Sequence, residues 1–354
     1  MELDNMKAQV FHGSGGLKYQ DLPQPTADAG DVIIEVKAVG LSPLDLHRLQ
    51  VPELEQPLVL GREIAGTIAQ VGSQVSGWRV GQRVATLAHV PCMRCLACLE
   101  DRFSACPTYQ AHTTSAGLTA SGGGFAEFVK VPEHLVKHGG LVGLPGHITF
   151  DRACFLQPIN SLLHSFARLQ LEPEQQIWIL GAGSLGAIAV LLAQRLGLHP
   201  LVSDRSPERL DAALDLGAKA AFNSNGEDLH TKVRAFTDGE GVDAALLTEP
   251  RGWDVMHALD GTRPGGKLLC LTDFADPLPV PLDPLAFARR QIDLLGCSGL
   301  SPRQQQRSLT YLFDHHLPLE ATISDRIPLI DLPQKIEQAQ RPDSNSRKIL
   351  VYPR

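Results

Sequence analysis

Apolar and polar residues alternate from Asp31 to Ala38 (DVIIEVKA) and again from Ile64 to Val71, the period of strands with one buried face. Gly72, Gly77 and Gly81 follow at close spacing and mark turns, so the first part of the chain predicts a small, bent, barrel-like β domain. Near residue 158 the rhythm changes. Ile177 to Leu180 predicts a short buried strand, Gly181 to Leu196 a helix, and Leu201 to Ser203 a second strand. Ser206 and Pro207 open the next helix as N-cap and first helical residue, and Gly217 closes it. Val242 to Thr248, Lys267 to Thr272 and Ile292 to Cys297 predict further strands, followed by a helix from Arg303 to His315. The alternation implies an α/β, doubly wound parallel sheet covered on both faces. A last strand, Lys348 to Tyr352, is expected to return to the first domain.

The 354 residues exceed one ordinary core and suit two domains. Acidic residues outnumber basic ones 39 to 32, for a net charge of -7, and no basic stripe appears, which argues against nucleic acid or an anionic membrane as partner. The apolar run from Leu185 to Ala193 is too short to span a bilayer, and Met1 to Asp4 lack a signal-peptide profile. A cytoplasmic location is expected. Seven cysteines, an odd number with four crowded together, read as metal-binding before disulfide-forming.

Gly181, Gly183, Ser184, Leu185 and Gly186 belong to a GxGxxG that follows a strand and opens a helix, the context that makes this motif a dinucleotide site. The helix N-terminus offers free N–H groups to the phosphates. Asp204, 18 residues beyond Gly186, is placed to accept from the adenosine ribose hydroxyls and to repel an added phosphate. Arg205 and Arg209 pull toward NADP, but the carboxylate favours NAD(H). Thr248 and Lys348 complete the candidate cofactor contacts. Cys92, Cys95, Cys98 and Cys106 give C-x2-C-x2-C-x7-C, a spacing suited to one tetrahedral zinc with no open position, hence structural. Cys154, Cys270 and Cys297 read as small core residues.

A four-cysteine lobe between a β-rich domain and a dinucleotide-binding domain resembles the zinc-containing alcohol and polyol dehydrogenases of the medium-chain dehydrogenase/reductase superfamily. Gly61-x-Glu63-x-x-Gly66, Val71-Gly72, Val80-Gly81-x-Arg83-Val84, Phe125-Ala126-Glu127 and Leu156-x-Pro158 carry the likeness along the chain. The resemblance implies a GroES-like catalytic domain over 1–157 with the zinc lobe at about 91–107, a Rossmann domain over 158–298, and a C-terminal segment over 299–354. It also implies a small-molecule substrate and a homodimer or homotetramer.

In that family a second, catalytic zinc takes a Cys, a His and an acidic or Cys ligand. Ser42, Arg62 and Gln157 stand at the three positions here. A hydroxyl and an amide are poor zinc ligands, and a guanidinium repels a dication. No catalytic zinc is therefore expected. Arg62, His47, Asp45 and Glu63 become the candidate catalytic residues, with Arg62 expected in the vacated volume, ion-paired to Asp45 or Glu63. The leading expectation is NAD(H)-dependent hydride transfer to or from an alcohol, a carbonyl or an activated C=C or C=N bond, without metal. Ordinary alcohol or polyol oxidation using Arg62 or His47, and an NAD(H)-binding sensor or scaffold without turnover, stay open as alternatives.

Overall fold

Six strands of the second half form one parallel sheet whose spatial order is Ala220–Asn223, His199–Asp204, Gln176–Leu180, Val242–Leu247, Thr262–Leu271 and Asp293–Cys297. In chain order this reads 3-2-1-4-5-6. The order reverses between Gln176–Leu180 and Val242–Leu247, where an open α/β sheet leaves a crevice for a ligand. These inner strands are almost wholly buried because helices cover both faces. The computed structural model describes residues 5–51, 57–109, 111–225, 228–248, 252–271, 280, 282–341 and 343–354. Of the segments read from the sequence, the N-terminal stretch 1–4 and Thr272 at a strand end lie outside the described residues.

A seven-stranded sheet builds the other half, in the order Ile323–Pro328, Lys348–Tyr352, Val32–Leu41, Glu63–Val71, Arg83–Thr86 and Leu141–Gly143, with Phe128–Val131 also pairing to Val32–Leu41. Lys348–Tyr352 runs antiparallel to Val32–Leu41, so the last strand shares a sheet with one from the start of the chain. Asn5–Phe11 and Leu17–Pro23 form a separate hairpin. The register of Val32–Leu41 with Glu63–Val71 shifts twice, bending the sheet in the way bulges do. In the parallel sheet the sequence reading missed one strand, Ala220–Asn223, because four residues at a sheet edge carry too few alternations to register. In the β-rich half it named neither the hairpin Asn5–Phe11 and Leu17–Pro23 nor the strands Arg83–Thr86, Phe128–Val131, Leu141–Gly143 and Ile323–Pro328.

The helix Leu156–Leu169 joins the halves. Its buried stripe, Leu156, Ile159, Leu162, Leu163 and Phe166, belongs to the same apolar cluster as the parallel-sheet residues Ile177, Ile179 and Leu246. Pro158 is tolerated because it lies in the first turn, where no intrahelical N–H bond is lost. The first turn of this helix thereby faces a cleft to which both halves contribute.

Candidate active site between the two sheets

The glycine-rich turn leaves strand Gln176–Leu180 and enters the helix Ser184–Arg195. Gly181 has φ +101°, a region closed to most L-residues, and a Cβ on Gly186 would collide with the Gly181 carbonyl oxygen. No side chain caps the helix and its first turn holds no acid, so its leading N–H groups stay available to an anion. Asp204 ends the neighbouring strand. Its carboxylate accepts from the Ala182 N–H at 2.7 Å and the Ser206 N–H at 2.9 Å, with Arg209 Nη1 at 3.6 Å. Arg205 is exposed.

Two of the expected cofactor contacts prove otherwise engaged. Thr248 is buried and its hydroxyl donates to the Leu180 carbonyl at 2.9 Å, tying adjacent strands together. Lys348 is fully buried in the other sheet, where its ammonium pairs with Glu63 and lies 5.5 Å from the Phe155 ring centre. Strand pairing with Val32–Leu41 carries Lys348 to that place.

A cavity of about 50 Å³ opens in the cleft. Ser42, Pro43, Leu44, Arg62 and Glu63 line it from the β-rich half, Gln157, Pro158 and Ser161 from the joining helix, and Leu185 from the glycine-rich helix. The three positions singled out by the replaced ligands thus converge on one wall, beside the cofactor turn. Ser42 caps the helix Pro43–Arg48 in a capping box with Asp45: its Oγ accepts from the Asp45 N–H and donates to Asp45 Oδ2 at 2.6 Å. Gln157 Oε1 accepts from the Ala88 N–H at 3.2 Å. His47, in the last turn of the same helix, does not line the cavity.

The expected ion pair of Arg62 with Asp45 or Glu63 does not form. Asp45 is fully buried and already takes three donors, the Ser42 hydroxyl, the Ser42 N–H and the Gly61 N–H at 3.1 Å. Glu63 is held by Lys348, although burial pushes its carboxyl above the ordinary range against that cation's pull. Both carboxylates are satisfied without Arg62. Arg62 itself is 4% exposed, has no carboxylate within ion-pair distance among the described residues, and its Nε has no hydrogen-bond partner.

Sequence reasoning missed two neighbours of Arg62. Arg48 follows His47 and reaches Ser121 Oγ at 3.4 Å. Burial and the nearby Arg62 charge lower its pKa. His89 is 9% exposed, and its ring packs tilted against Tyr109 with the ring centres 5.1 Å apart. Burial, then the charges of Arg62 and Arg48, hold its pKa well below 6.5, so the imidazole is neutral at pH 7. A lone histidine in an apolar run gives no periodic signal. The capping box Ser42-Pro43-Leu44-Asp45, in contrast, is a local pattern from which the engagement of Asp45 follows.

A histidine with a depressed folded pKa gives stability that is present above the unfolded pKa and lost as pH falls. His89 is therefore expected to add an acid-side decline below about pH 6.5, of up to about 1.4 kcal/mol per pH unit. Melting His89→Gln and the parent chain from pH 7.5 to 5 checks this: the variant should lose less stability on acidification, and parallel curves would contradict it.

In the cysteine lobe the four Sγ atoms lie within 4.8 Å of one another, with Cys95 and Cys98 at 3.5 Å and Cys92 and Cys98 at 3.9 Å. Thiolates about 2.3 Å from a tetrahedral zinc stand about 3.8 Å apart, so the cluster fits a structural zinc. The Arg94 and Cys95 N–H groups draw the Cys92 thiol down to about 6, which favours the ligating form. Cys154 and Cys297 are buried core residues, while Cys270 is only half-buried.

Residues 28–139 match the alcohol dehydrogenase GroES-like domain family, and residues 184–313 match the zinc-binding dehydrogenase family. A sorbitol dehydrogenase of Bacillus subtilis is 31% identical over 355 aligned positions, covering 99% of this chain and 98% of that protein. An L-threonine 3-dehydrogenase of Anaeromyxobacter is 29% identical, with 89% of each chain covered. Among solved structures, an alcohol dehydrogenase from Thermus superposes with a TM-score of 0.85 at 26% identity, covering 98% of this chain and 99% of that one. The uncapped glycine turn, the four-thiolate lobe and likeness along nearly the whole chain agree, and the chain belongs to the medium-chain dehydrogenase/reductase superfamily as a zinc-type, alcohol and polyol dehydrogenase-like oxidoreductase.

Proposed function

We propose that this oxidoreductase transfers hydride between NAD(H) and a small organic substrate without a catalytic zinc, using the Arg62 guanidinium where relatives of its family place the metal. The observation that carries the reading is Arg62 itself, buried in the cleft wall beside Leu185 with no carboxylate partner among the described residues. The donors around it do not suit zinc. Ser42 has its hydroxyl in a capping box, Gln157 offers a neutral amide already bonded to Ala88, and a guanidinium cannot ligate.

NAD(H), when bound, accepts or supplies the hydride. The Gly181–Gly186 turn and the helix behind it hold its phosphates, and Asp204 meets the ribose diol and disfavours a 2′-phosphate. In oxidation an alcohol gives its C–H electron pair as hydride to the nicotinamide and its O–H proton to solvent, and reduction reverses both. Arg62 acts on the oxygen that gains negative charge, in a small cavity where fixed charges are screened little. Leu44, Leu185, Leu271 and Leu300 supply its apolar wall and limit water at the reacting carbon.

Seven free cysteines support a cytoplasmic setting, and among the described residues no helix is long and apolar enough to cross a membrane. Asp293–Cys297 is an edge strand with Leu294 exposed, which supports self-association into a homodimer or homotetramer.

Protein purified without added metal should contain about one zinc per chain and bind NADH more tightly than NADPH at fixed ionic strength. Its mass in solution, against 38.3 kDa for one chain, reports self-association. Two tightly held zincs would sink the metal-free reading, and tighter NADPH would show that Arg205 and Arg209 outweigh Asp204. NADH binding without turnover on alcohols, carbonyls and enones would favour a sensor.

A further inference from the structure

We infer that the substrate of this site carries an anionic group, a carboxylate or a phosphate, and that Arg62 and Arg48 hold it in the cleft. This deepens the dehydrogenase reading above and rests on it. Arg62 and Glu63 line the cavity, and behind them Arg48, Lys348 and Asp45 are close enough to act on their charges, so three cations face two carboxylates. Lys348 is consumed by Glu63, and Asp45 by Ser42 and the Gly61 N–H. Among the described residues one positive charge is left over, in a place where a buried charge without a partner is costly.

The geometry places that excess at the cavity. Arg62 forms part of its wall. Arg48 approaches from the adjacent helix end and touches Ser121, while a Cβ on the next residue, Gly122, would sit 2.8 Å from Arg62 Cγ. The loop 121–122 thus packs against both arginines and leaves room for the Arg62 side chain only because residue 122 is glycine. His89 adds an imidazole whose Nδ1 has no partner in the described structure. Guanidinium groups meet carboxylate and phosphate oxygens with charge-assisted, geometrically defined hydrogen bonds, and one in the cavity wall reinforced by the charge of a second behind it selects an oxyacid over a neutral polyol. An acid group vicinal to the reacting carbon lets Arg62 meet both the acid and the oxygen that is oxidised or reduced. A small hydroxy or oxo acid, or a short phosphate ester, fits this arrangement.

Calorimetric titration of the zinc-loaded, full-length protein with propionate, isosteric propionamide and inorganic phosphate, each with and without NADH, tests the inference. Propionate should bind at least about 10-fold more tightly than propionamide, and the advantage should shrink as salt is added. Arg62→Gln and Arg48→Gln should each remove it, while Arg62→Lys should keep part of it. Phosphate binding more tightly than propionate supports the same site and assigns it to a phosphate ester. Equal binding of propionate and propionamide by the unaltered protein overturns the inference, and that comparison needs no variant to fold. An Arg62→Gln protein that melts normally yet keeps the preference overturns it too. Protein that binds NADH but no anion sinks the anion site alone. Protein that binds propionate but not NADH sinks the dehydrogenase reading and leaves the anion site standing.

Discussion

Arg62→Met is expected to lower kcat by about 10²- to 10³-fold while leaving the melting temperature unchanged or higher. The two halves of this expectation have separate causes. Activity falls because the guanidinium is the cation in the wall of a cavity that Leu185, beside the cofactor turn, also lines, and loss of one such donor is worth this much at developing oxyanions. Stability holds because Arg62 takes part in no carboxylate pair among the described residues, so methionine leaves no anion stranded and relieves a buried charge. Had Arg62 bridged Asp45 or Glu63, the same change would cost about 3–5 kcal/mol. Steady-state kinetics beside a thermal melt separate the cases. A variant with full kcat would remove Arg62 from the chemistry, and a large fall in melting temperature would mean that it supports the fold.

Lys348→Met should have the opposite profile, a loss of about 3–5 kcal/mol, or roughly 10 °C in melting temperature. The substitution leaves Glu63 buried in the cavity wall without its ion-pair partner, and Glu63 is already held above the usual carboxylate range by burial. The sign of the pH dependence follows. A carboxyl whose folded pKa is raised gives stability that is full below its unfolded value and is lost as pH rises through the folded one. Without Lys348 the folded pKa rises further, so the deficit against the parent protein should be small near pH 4.5 and widen toward pH 8. The pair Glu63→Gln with Lys348→Met should recover most of the loss. A deficit independent of pH, or a double variant no better than the single, would contradict the assignment of the cost to Glu63.

These outcomes bear on how much of the site can be read from order along the chain. The glycine turn is legible because Gly181, Gly183 and Gly186 act within six residues and strand and helix patterns flank them. The cysteine lobe is legible for the same reason: Cys92 to Cys106 close small loops, and spacing nearly dictates convergence. The capping box at Ser42 and Asp45 was equally local, and it already shows that Asp45 is satisfied without Arg62. The Glu63–Lys348 pair joins positions 285 residues apart, and no local pattern announces it.

The amino-acid sequence by itself determined the two-sheet architecture, the dinucleotide turn, the zinc lobe and the replacement of three ligand positions, since each depends on periodicity or on short spacings that set backbone geometry directly. Only the tertiary structure decided which charges meet. Pairing of Lys348–Tyr352 with Val32–Leu41 delivers Lys348 to Glu63, the capped helix Pro43–Arg48 turns Asp45 inward and brings Arg48 toward Arg62, and the segment after strand Arg83–Thr86 brings His89 within reach of both charges. Coulomb energy between buried groups depends on separations of a few ångströms and on the lack of water, and strand register and helix packing set both.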